Sequence, residues 1–328
     1  MTIGTVGTNF VVDNFIQAAA KTGKADVVAC YSRSPDTATA FAEKHRLAKW
    51  YTDKEKFLSD TSLDFIYIAA PNSLHYQWAR DALNAGRNVI CEKPFVSRAA
   101  ELDELIALAK EKQLFLFEAL TTPHLPNLRL IKEKLDEIGT VRLVQLTFSQ
   151  YSSRYDAFLS GKIPNLFNPE FSGGALMDLN YYNLAFIHFL FGKPLELKYF
   201  ANKAENGIDL SGVLVFKYDG FIATASATKD SESRNYIQIQ GEKGYIVSES
   251  TAGGLRSGFS LVTKEKTAQF NEQETENVLY YELLSFIADY ESGNYERCDG
   301  PLENSLARAE LMDEARQYAG IVFGADKA

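Results

Sequence analysis

Cysteine and histidine are scarce in this chain of 328 residues, which has three of the former and four of the latter. Cys30, Cys91 and Cys298 are odd in number and far apart, so we expect a reducing compartment and no disulfide framework. The histidines are also scattered and show no C-x-x-C or H-E-x-x-H spacing. A zinc site would lack its usual ligands, and we predict no bound metal.

Positively charged residues are fewer than negatively charged ones: the chain has 34 Lys and Arg and 43 Asp and Glu, which gives a net charge of −9. This balance argues against sequence-independent binding of nucleic acid, which needs a basic face. No apolar run approaches membrane-spanning length, and the first apolar strand begins almost at Met1, which leaves no room for a signal peptide. We therefore expect a cytoplasmic globular protein with no membrane partner and no nucleic-acid partner.

The first third of the chain alternates short β-branched or aromatic runs with helical stretches, up to about Glu118. This rhythm is typical of an α/β domain with a doubly wound parallel sheet. The predicted strands lie at residues 2–6, 27–31, 50–51, 65–69, 88–91 and 114–117, and the predicted helices at 11–21, 36–44, 74–84 and 99–112.

After Thr121 the rhythm changes to long alternating segments, which predict an α+β domain with a large, mostly antiparallel open sheet. Asp219-Gly220 is a hairpin signal because glycine supplies positive φ at the tip, and Gly241 to Gly244 forms a second tight reversal. We place the domain boundary near residue 120, giving domains 1–120 and 121–328. Predicted strands lie at 141–151, 195–204, 210–218 and 221–229, and predicted helices at 127–137, 175–191, 277–291 and 304–318.

One face of such a sheet is left without helices to cover it. Monomers rarely expose that much apolar area. We therefore expect a homo-oligomer that forms through this face.

The first strand is followed by a turn that reads Gly7-Thr8-Asn9-Phe10 and is not an intact GxGxxG motif. Gly7 matches the first glycine, where the chain turns sharply from strand into helix, and Asn9 replaces the second. Asparagine tolerates left-handed φ better than most residues, so the turn remains feasible. Its position before a helix N-terminus without an evident cap suits phosphate binding. These four residues are candidate cofactor ligands.

The second predicted strand ends in Ser32-Arg33 and carries no acidic residue. Dinucleotide sites use an acid at this place to bind the adenine ribose. A serine hydroxyl and a guanidinium would instead bind a 2′-phosphate, and this favours NADP(H) over NAD(H). The alternative is an exposed arginine beside a helix N-terminus.

Polar residues also follow the fourth predicted strand, in Ala70-Pro71-Asn72 and at His75. The carboxyl edge of a parallel sheet is where ligands bind. Asn72 and His75 could line the cofactor, or Asn72 could cap the next helix.

The fifth predicted strand delivers Glu92-Lys93-Pro94 to the same edge. A lysine there can donate protons or hold a hydroxyl, and the proline restrains its approach. The alternative is a surface turn with a solvated lysine.

These motifs, together with residues 85–94 and Gly173-Gly174 to Tyr182, resemble the Gfo/Idh/MocA oxidoreductases, a family that includes glucose-fructose oxidoreductase, inositol dehydrogenase and dimeric dihydrodiol dehydrogenase. The match covers nearly the whole chain. The resemblance implies an N-terminal Rossmann domain, a C-terminal domain whose open sheet forms dimers, and a bound nicotinamide cofactor.

The resemblance also implies roles for site residues. Lys93 contacts the nicotinamide ribose and the substrate oxygen, with Glu92 in support. Many relatives carry a histidine four residues after Asp178, but this chain has Tyr182, as dihydrodiol dehydrogenase-like members do, with the tyrosine as acid/base. Asn180 replaces a frequent glycine.

A lysine ammonium favours phenolate and so lowers the pKa of a tyrosine from about 10. We therefore interpret Tyr182 as proton donor, Lys93 as its activator and Asp178 as the orienting group. The helix spacing of four places Asp178 and Tyr182 on one face. The alternative is that Asp178 is an ordinary helix residue and Tyr182 a core aromatic.

The substrate is expected to be a small molecule, namely a sugar, polyol or related hydroxy compound, on family resemblance. Further candidates for its wall, on loops near the Asp178 helix or after the presumed hinge, are Arg154, Tyr155, Asn168 and His124. A catalytically silent dinucleotide-binding regulator of the same fold is the alternative function.

Overall fold

The computed structural model describes residues 1–327 and divides into two compact units. The first contains residues 1–119 and 277–306, and the second contains residues 120–276 and the C-terminal residues from 307. A single boundary near residue 120 assigns all of 277–306 to the second domain, whereas these residues make their contacts within the first unit.

The first unit is built on a parallel sheet with the strand order β3-β2-β1-β4-β5-β6. This is the doubly wound sheet that the alternating pattern predicts. The strands are β1 (Thr2–Val6), β2 (Asp26–Tyr31), β3 (Lys49–Tyr51), β4 (Phe65–Ile68), β5 (Asn88–Glu92) and β6 (Leu116–Ala119). The helices between them are α1 (Phe10–Thr22), α2 (Pro35–His45), α3 (Lys54–Leu58), α4 (His75–Asn84) and α5 (Ala99–Lys112).

Local signals explain several helix ends in this unit. Gly23 ends α1 with a φ of 64°, which glycine adopts at little cost. Ser34 accepts the backbone N–H of Thr37, and Pro35 occupies the first turn of α2. Such an N-cap contributes about 1 kcal/mol to helix stability.

Aromatic packing explains why residues 277–306 belong to the first unit. They include α9 (Leu279–Glu291) and the start of α10 (Asp299–Ala319). The ring of Phe286 stacks on Phe117 with centroids 4.5 Å apart, and Tyr290 packs edge-on against Phe65 at 5.0 Å. Contacts between residues so distant in sequence leave no trace in local periodicity.

The second unit is built on a sheet with the order β14-β13-β12-β11-β7-β10-β9-β8. Its neighbours are antiparallel except β7 and β10, which run parallel. The predicted open, mostly antiparallel sheet is thereby confirmed. The strands are β7 (Val141–Ser149), β8 (Glu196–Lys203), β9 (Asp209–Lys217), β10 (Ile222–Thr228), β11 (Tyr236–Gly241), β12 (Gly244–Ser248), β13 (Phe259–Thr263) and β14 (Thr267–Phe270).

The helices of this unit are α6 (Pro126–Lys134), α7 (Tyr155–Leu159) and α8 (Tyr181–Phe191), with the end of α10. The predicted helix 175–191 contains a π-helical segment, Leu176–Asn180, directly before α8. Gly220 has a φ of 84° in the hairpin between β9 and β10, as its Asp-Gly signal predicts. Within the described residues, no helix is both long and apolar enough to cross a membrane.

Candidate active site

Gly7 closes the turn between β1 and α1 in a conformation that only glycine adopts easily. Its φ is 107°, and a Cβ there would lie 2.6 Å from the carbonyl oxygen of Ala69 at the end of β4. Its N–H donates to Tyr31 O at the end of β2 at 3.4 Å. The turn is thus held against the carboxyl ends of both neighbouring strands, the close-backbone arrangement that dinucleotide sites require.

Asn9 differs from its sequence-based interpretation in two respects. Its φ is −90°, so it uses no left-handed conformation, and its side chain caps α1 by accepting the N–H groups of Val11 and Val12. The helix N-terminus is therefore capped, contrary to expectation. The Asn9 amide also donates to Ala69 O at 2.9 Å. Thr8 is half-buried beside it and Phe10 is 73% exposed.

Ser32 and Arg33 lie at the end of β2. The Ser32 N–H donates to Tyr51 O at 3.1 Å, and its hydroxyl accepts the N–H of Ser34 at 3.4 Å. Arg33 is exposed. A guanidinium on the surface beside a fixed serine remains available to an external anion.

His75 connects the loops that follow β4 and β5. Its Nε2 lies 2.8 Å from Ala70 O and its Nδ1 lies 2.9 Å from Pro94 O. Burial lowers the pKa of His75, so the imidazole is neutral near neutral pH and donates to one carbonyl at a time. Pro71 precedes a 3-10 turn, Asn72–Leu74, that leads into α4. Asn72 thus lies in the turn before the helix.

Glu92 is buried, Lys93 after it is half-buried, and the Glu92 carboxylate accepts the Tyr67 hydroxyl at 2.6 Å. Burial raises the pKa of Glu92 to about 7, although the Tyr67 hydrogen bond and the Lys93 charge oppose the rise. Burial raises the pKa of Glu282 well above its usual value, and the charges of Glu92 and Glu118 add to the rise. The residue directly before Lys93 is therefore a carboxyl group, Glu92, that gains or loses its proton near neutral pH.

In the second unit, the helical stretch that carries Asp178 and Tyr182 begins at a tightly constrained point. The carboxylate of Asp209 accepts the N–H of Leu176 and the hydroxyl of Tyr199, both at 2.7 Å. Gly174 has a φ of 105°, and a Cβ on it would overlap Asp209 Oδ1. Gly174, the second glycine of the Gly-Gly motif, thus leaves room for the buried Asp209 carboxylate.

Asp178 lies in the π-helical segment and forms an ion pair with Lys229, which follows β10. The lysine side chain is 3% exposed and that of Asp178 is 25% exposed. π-Helical turns are frequent at functional sites. The Lys229 ammonium also lies 5.7 Å from the ring centroid of Phe167.

Tyr182 lies in the first turn of α8 and is half-buried. Its ring centroid is 5.9 Å from that of Phe148, and a Cβ on Gly253 would lie 2.8 Å from the ring. Gly253 is thus in van der Waals contact with the face of the tyrosine. The partial exposure of Tyr182 distinguishes it from Tyr181, which is 2% exposed.

The remaining candidates have varied surroundings. Tyr155 packs against Phe167, with centroids 5.7 Å apart, and so joins the aromatic group next to Lys229. Arg154 is exposed just before α7. Asn168 accepts the N–H of Glu170 and lines a pocket of about 430 Å³. Burial lowers the pKa of His124 to about 3, so it is uncharged at neutral pH.

Sequence reasoning missed Lys229 and Asp209. A signal existed for Lys229, because it continues the alternation of Ala223, Ala225 and Ala227, which are all fully buried. A lysine on the inward register of a strand requires a partner. Among the described residues, no group of three or more His, Cys, Asp and Glu is arranged to hold a metal ion.

Comparisons with known proteins agree with this architecture. Residues 1–120 match an oxidoreductase family model with an NAD-binding Rossmann fold, and residues 129–247 match the Gfo/Idh/MocA C-terminal domain. The chain is 37% identical over 331 residues to scyllo-inositol 2-dehydrogenase (NADP(+)) of Bacillus subtilis, with 98% of both chains covered. It is 29% identical to trans-1,2-dihydrobenzene-1,2-diol dehydrogenase of Xenopus tropicalis, covering 90% of this chain and 91% of the other.

Among solved structures, a 3-ketoreductase from Actinomadura kijaniata in complex with NADP and TDP-benzene shares the fold. The TM-score is 0.86 at 22% identity, and 97% of each chain is covered. The fold and the relatives define an NAD(P)-dependent dehydrogenase or reductase that acts on CH–OH groups. The chain belongs to the Gfo/Idh/MocA family of oxidoreductases.

Proposed function

We propose that this protein is an NADP(H)-dependent oxidoreductase that interconverts the CH–OH and C=O groups of a sugar, polyol or related small hydroxy compound. The observation that carries the cofactor preference is the end of β2, where Ser32 and Arg33 stand and no acidic residue is present. The substrate class is supported by the similarity to an inositol dehydrogenase from Bacillus subtilis whose name includes NADP(+).

The residues at the carboxyl edge of the first sheet fit a dinucleotide. Gly7 keeps the turn after β1 free of a side chain, and Ser32 and Arg33 provide a hydroxyl and a guanidinium for a 2′-phosphate. The further residues assigned to the cofactor are Thr8, Asn9, Phe10, Ala70, Pro71, Asn72, His75, Glu92 and Lys93. When bound, the nicotinamide supplies or accepts the hydride at C4.

The protein's own residues must move the proton that accompanies the hydride. Tyr182 is the proposed proton donor and acceptor for the substrate oxygen, because a phenol can exchange one proton with an alkoxide. Lys93 holds that oxygen and favours the phenolate through its charge. Asp178 is the orienting group. Tyr182 and Asp178 are four residues apart, on adjoining helical segments of the second unit.

The surroundings of Lys93 support its role. His75 contacts the carbonyl of Pro94, and Glu92 is fixed by Tyr67, so the residues on both sides of the lysine are restrained. A restrained backbone lets a long side chain act from a defined point. We also propose a cytoplasmic location, because Cys30, Cys91 and Cys298 are free thiols and buried.

The cofactor preference is tested by titrating the protein with NADPH and NADH and following nicotinamide fluorescence. We expect the wild type to bind NADPH more tightly than NADH. Arg33→Ala should lower the affinity for NADPH alone by about 10- to 100-fold, the equivalent of one charge-assisted contact. Lys112→Ala is the matched control, since it removes one positive charge at the C-terminal end of α5. Tighter binding of NADH by the wild type would contradict the proposal.

The activity is tested by screening sugars, inositols and diols for a change in nicotinamide absorbance. With a substrate found, Lys93→Met and Tyr182→Phe should retain cofactor binding and lose about 100-fold or more in kcat/KM. Unchanged turnover in Lys93→Met, with the cofactor bound, would refute the assignment of the lysine.

A further inference from the structure

Lys229 is a lysine at a position where the fold otherwise places alanine. It follows Ala223, Ala225 and Ala227 on the inward register of β10, and it is 2% exposed. An ammonium group taken out of water costs several kcal/mol unless a partner compensates for it. A lysine at this position is therefore expected to have a compensating partner.

The backbone of Lys229 is fixed on both sides. Its N–H donates to Leu210 O at 2.8 Å, and its carbonyl accepts the N–H of Ser152 at 2.9 Å. Because β7 and β10 are parallel, their carboxyl ends lie at the same edge of the sheet, and Lys229 and Ser152 extend both strands there. The origin of the lysine side chain is therefore rigid.

The ammonium group faces two carboxylates and an aromatic ring. It forms the ion pair with Asp178 Oδ2, and its charge opposes the effect of burial on Asp209, whose pKa burial raises. The Phe167 ring lies 5.7 Å from Nζ. The Asp178 side chain is 25% exposed and that of Lys229 is 3% exposed. The lysine therefore lies on the buried side of the ion pair.

We propose that Lys229 is a positioning residue of the reaction, which holds in place the carboxylate of Asp178, four residues before Tyr182, and balances its charge. The inference rests on the proposed function, because it takes Asp178 and Tyr182 as members of the catalytic group. An uncompensated carboxylate near a phenol disfavours phenolate. With Lys229 in place, Asp178 can orient groups by hydrogen bonding without adding net negative charge at the proton-transfer site.

A purely structural role would predict that Lys229 matters for stability alone. The distinguishing measurement is a double-mutant cycle in kcat/KM over pH, with Lys229→Met, Asp178→Asn and the double variant. Methionine retains most of the length of the lysine stem and removes the charge. Lys198→Met is the matched control, because Lys198 also forms an ion pair, with Glu196, but is 43% exposed.

We expect Lys229→Met to bind NADPH like the wild type and to lose about 100-fold in kcat/KM, the equivalent of about 2.7 kcal/mol. The pH at which activity rises should also move upward, because the Lys229 ammonium then no longer offsets the negative charge of Asp178. The double variant should lie within about threefold of Asp178→Asn, since the lysine acts through the aspartate. Lys229→Arg should recover part of the activity.

If Lys229→Met fails to fold, the comparison of the double variant with Asp178→Asn provides the same test, because the double variant lacks both the ammonium and the carboxylate and so leaves neither charge without the other. Equal turnover of Lys229→Met and wild type, or losses that multiply in the double variant, would overturn the role of Lys229 alone. A wild type that binds NADPH but turns over no hydroxy compound would overturn the proposed function and this inference together.

Discussion

Asp209 accepts the backbone N–H of Leu176 at 2.7 Å, in the first turn of the helical stretch that carries Asp178 and Tyr182. Asp209 is fully buried, and its other donor is the Tyr199 hydroxyl. A buried carboxylate at a helix N-terminus satisfies an N–H that would otherwise lack a partner. We therefore expect the position of the proposed catalytic residues to depend on the Asp209 carboxylate.

Replacing Asp209 by alanine should destabilise the protein by about 2–4 kcal/mol, because the N–H of Leu176 and the hydroxyl of Tyr199 would both lose their acceptor in a buried place. Chemical denaturation measures this loss. Glu205→Ala is the control, since Glu205 is an exposed residue in the preceding turn and should change stability by less than about 0.5 kcal/mol. Equal stability of the two variants would show that Asp209 is no cap.

Gly174→Ala should be far more harmful than the same change at Gly207, although both glycines have positive φ, 105° and 85°. A Cβ on Gly174 would overlap the Asp209 carboxylate, whereas nothing lies within 4 Å of one on Gly207. We expect about 1 kcal/mol for Gly207→Ala and at least about 4 kcal/mol, or loss of soluble protein, for Gly174→Ala. Similar melting temperatures for both would contradict the crowding of Gly174.

Much of the first unit is predictable from sequence because its signals are local. Each predicted strand of the parallel sheet appears within about two residues of its observed bounds, and caps such as Ser34 and Gly23 act on adjacent residues. What sequence reasoning missed depends on distant contacts. Phe286 joins the first unit through Phe117, far away in sequence. The role of Lys229 follows only from its ion pair with Asp178, which is 51 residues away in sequence.

The candidate site follows the same division. The residues at the ends of β1, β2, β4 and β5 could be selected because a parallel sheet brings its carboxyl ends together. The π-helical turn at Asp178 could not be predicted from local sequence, and the Asp209 carboxylate that accepts the N–H of Leu176 comes from a separate strand, β9. The cap formed by Asn9 depends on side-chain direction, which a motif comparison with GxGxxG does not contain.

The outward face of the second sheet should form a dimer. Val213, Ile222 and Tyr245 lie on this face and are 37%, 48% and 40% exposed, and the cross-strand pairing places them on the same side as Thr147 and Gln145. Ile222→Arg with Val213→Arg should convert a dimer to monomers in sedimentation, because arginine in an apolar contact remains unpaired. The control is Phe10→Arg in the first unit. A wild type that sediments only as a monomer at micromolar concentration would refute the interface.

Glu92 should make the stability of the protein depend on pH. Its pKa in the folded protein is about 7 against an ordinary value of 4.5, with burial as the main cause. Because the folded state binds the proton more tightly, the stabilisation is complete below about pH 4.5 and is lost as the pH rises through about 7. The difference of about 2.5 pH units corresponds to at most about 3 kcal/mol.

The measurement compares the wild type with Glu92→Gln, which still accepts the Tyr67 hydroxyl but cannot ionise. We expect the free energy of unfolding of the two to be similar at about pH 5, and the glutamine variant to be more stable at about pH 8, by up to about 3 kcal/mol. Glu111→Gln, at an exposed position of α5, should follow the wild type at both pH values. Parallel pH profiles for Glu92→Gln and the wild type would mean that Glu92 is ionised in the folded protein throughout, with Lys93 as the dominant influence on its charge.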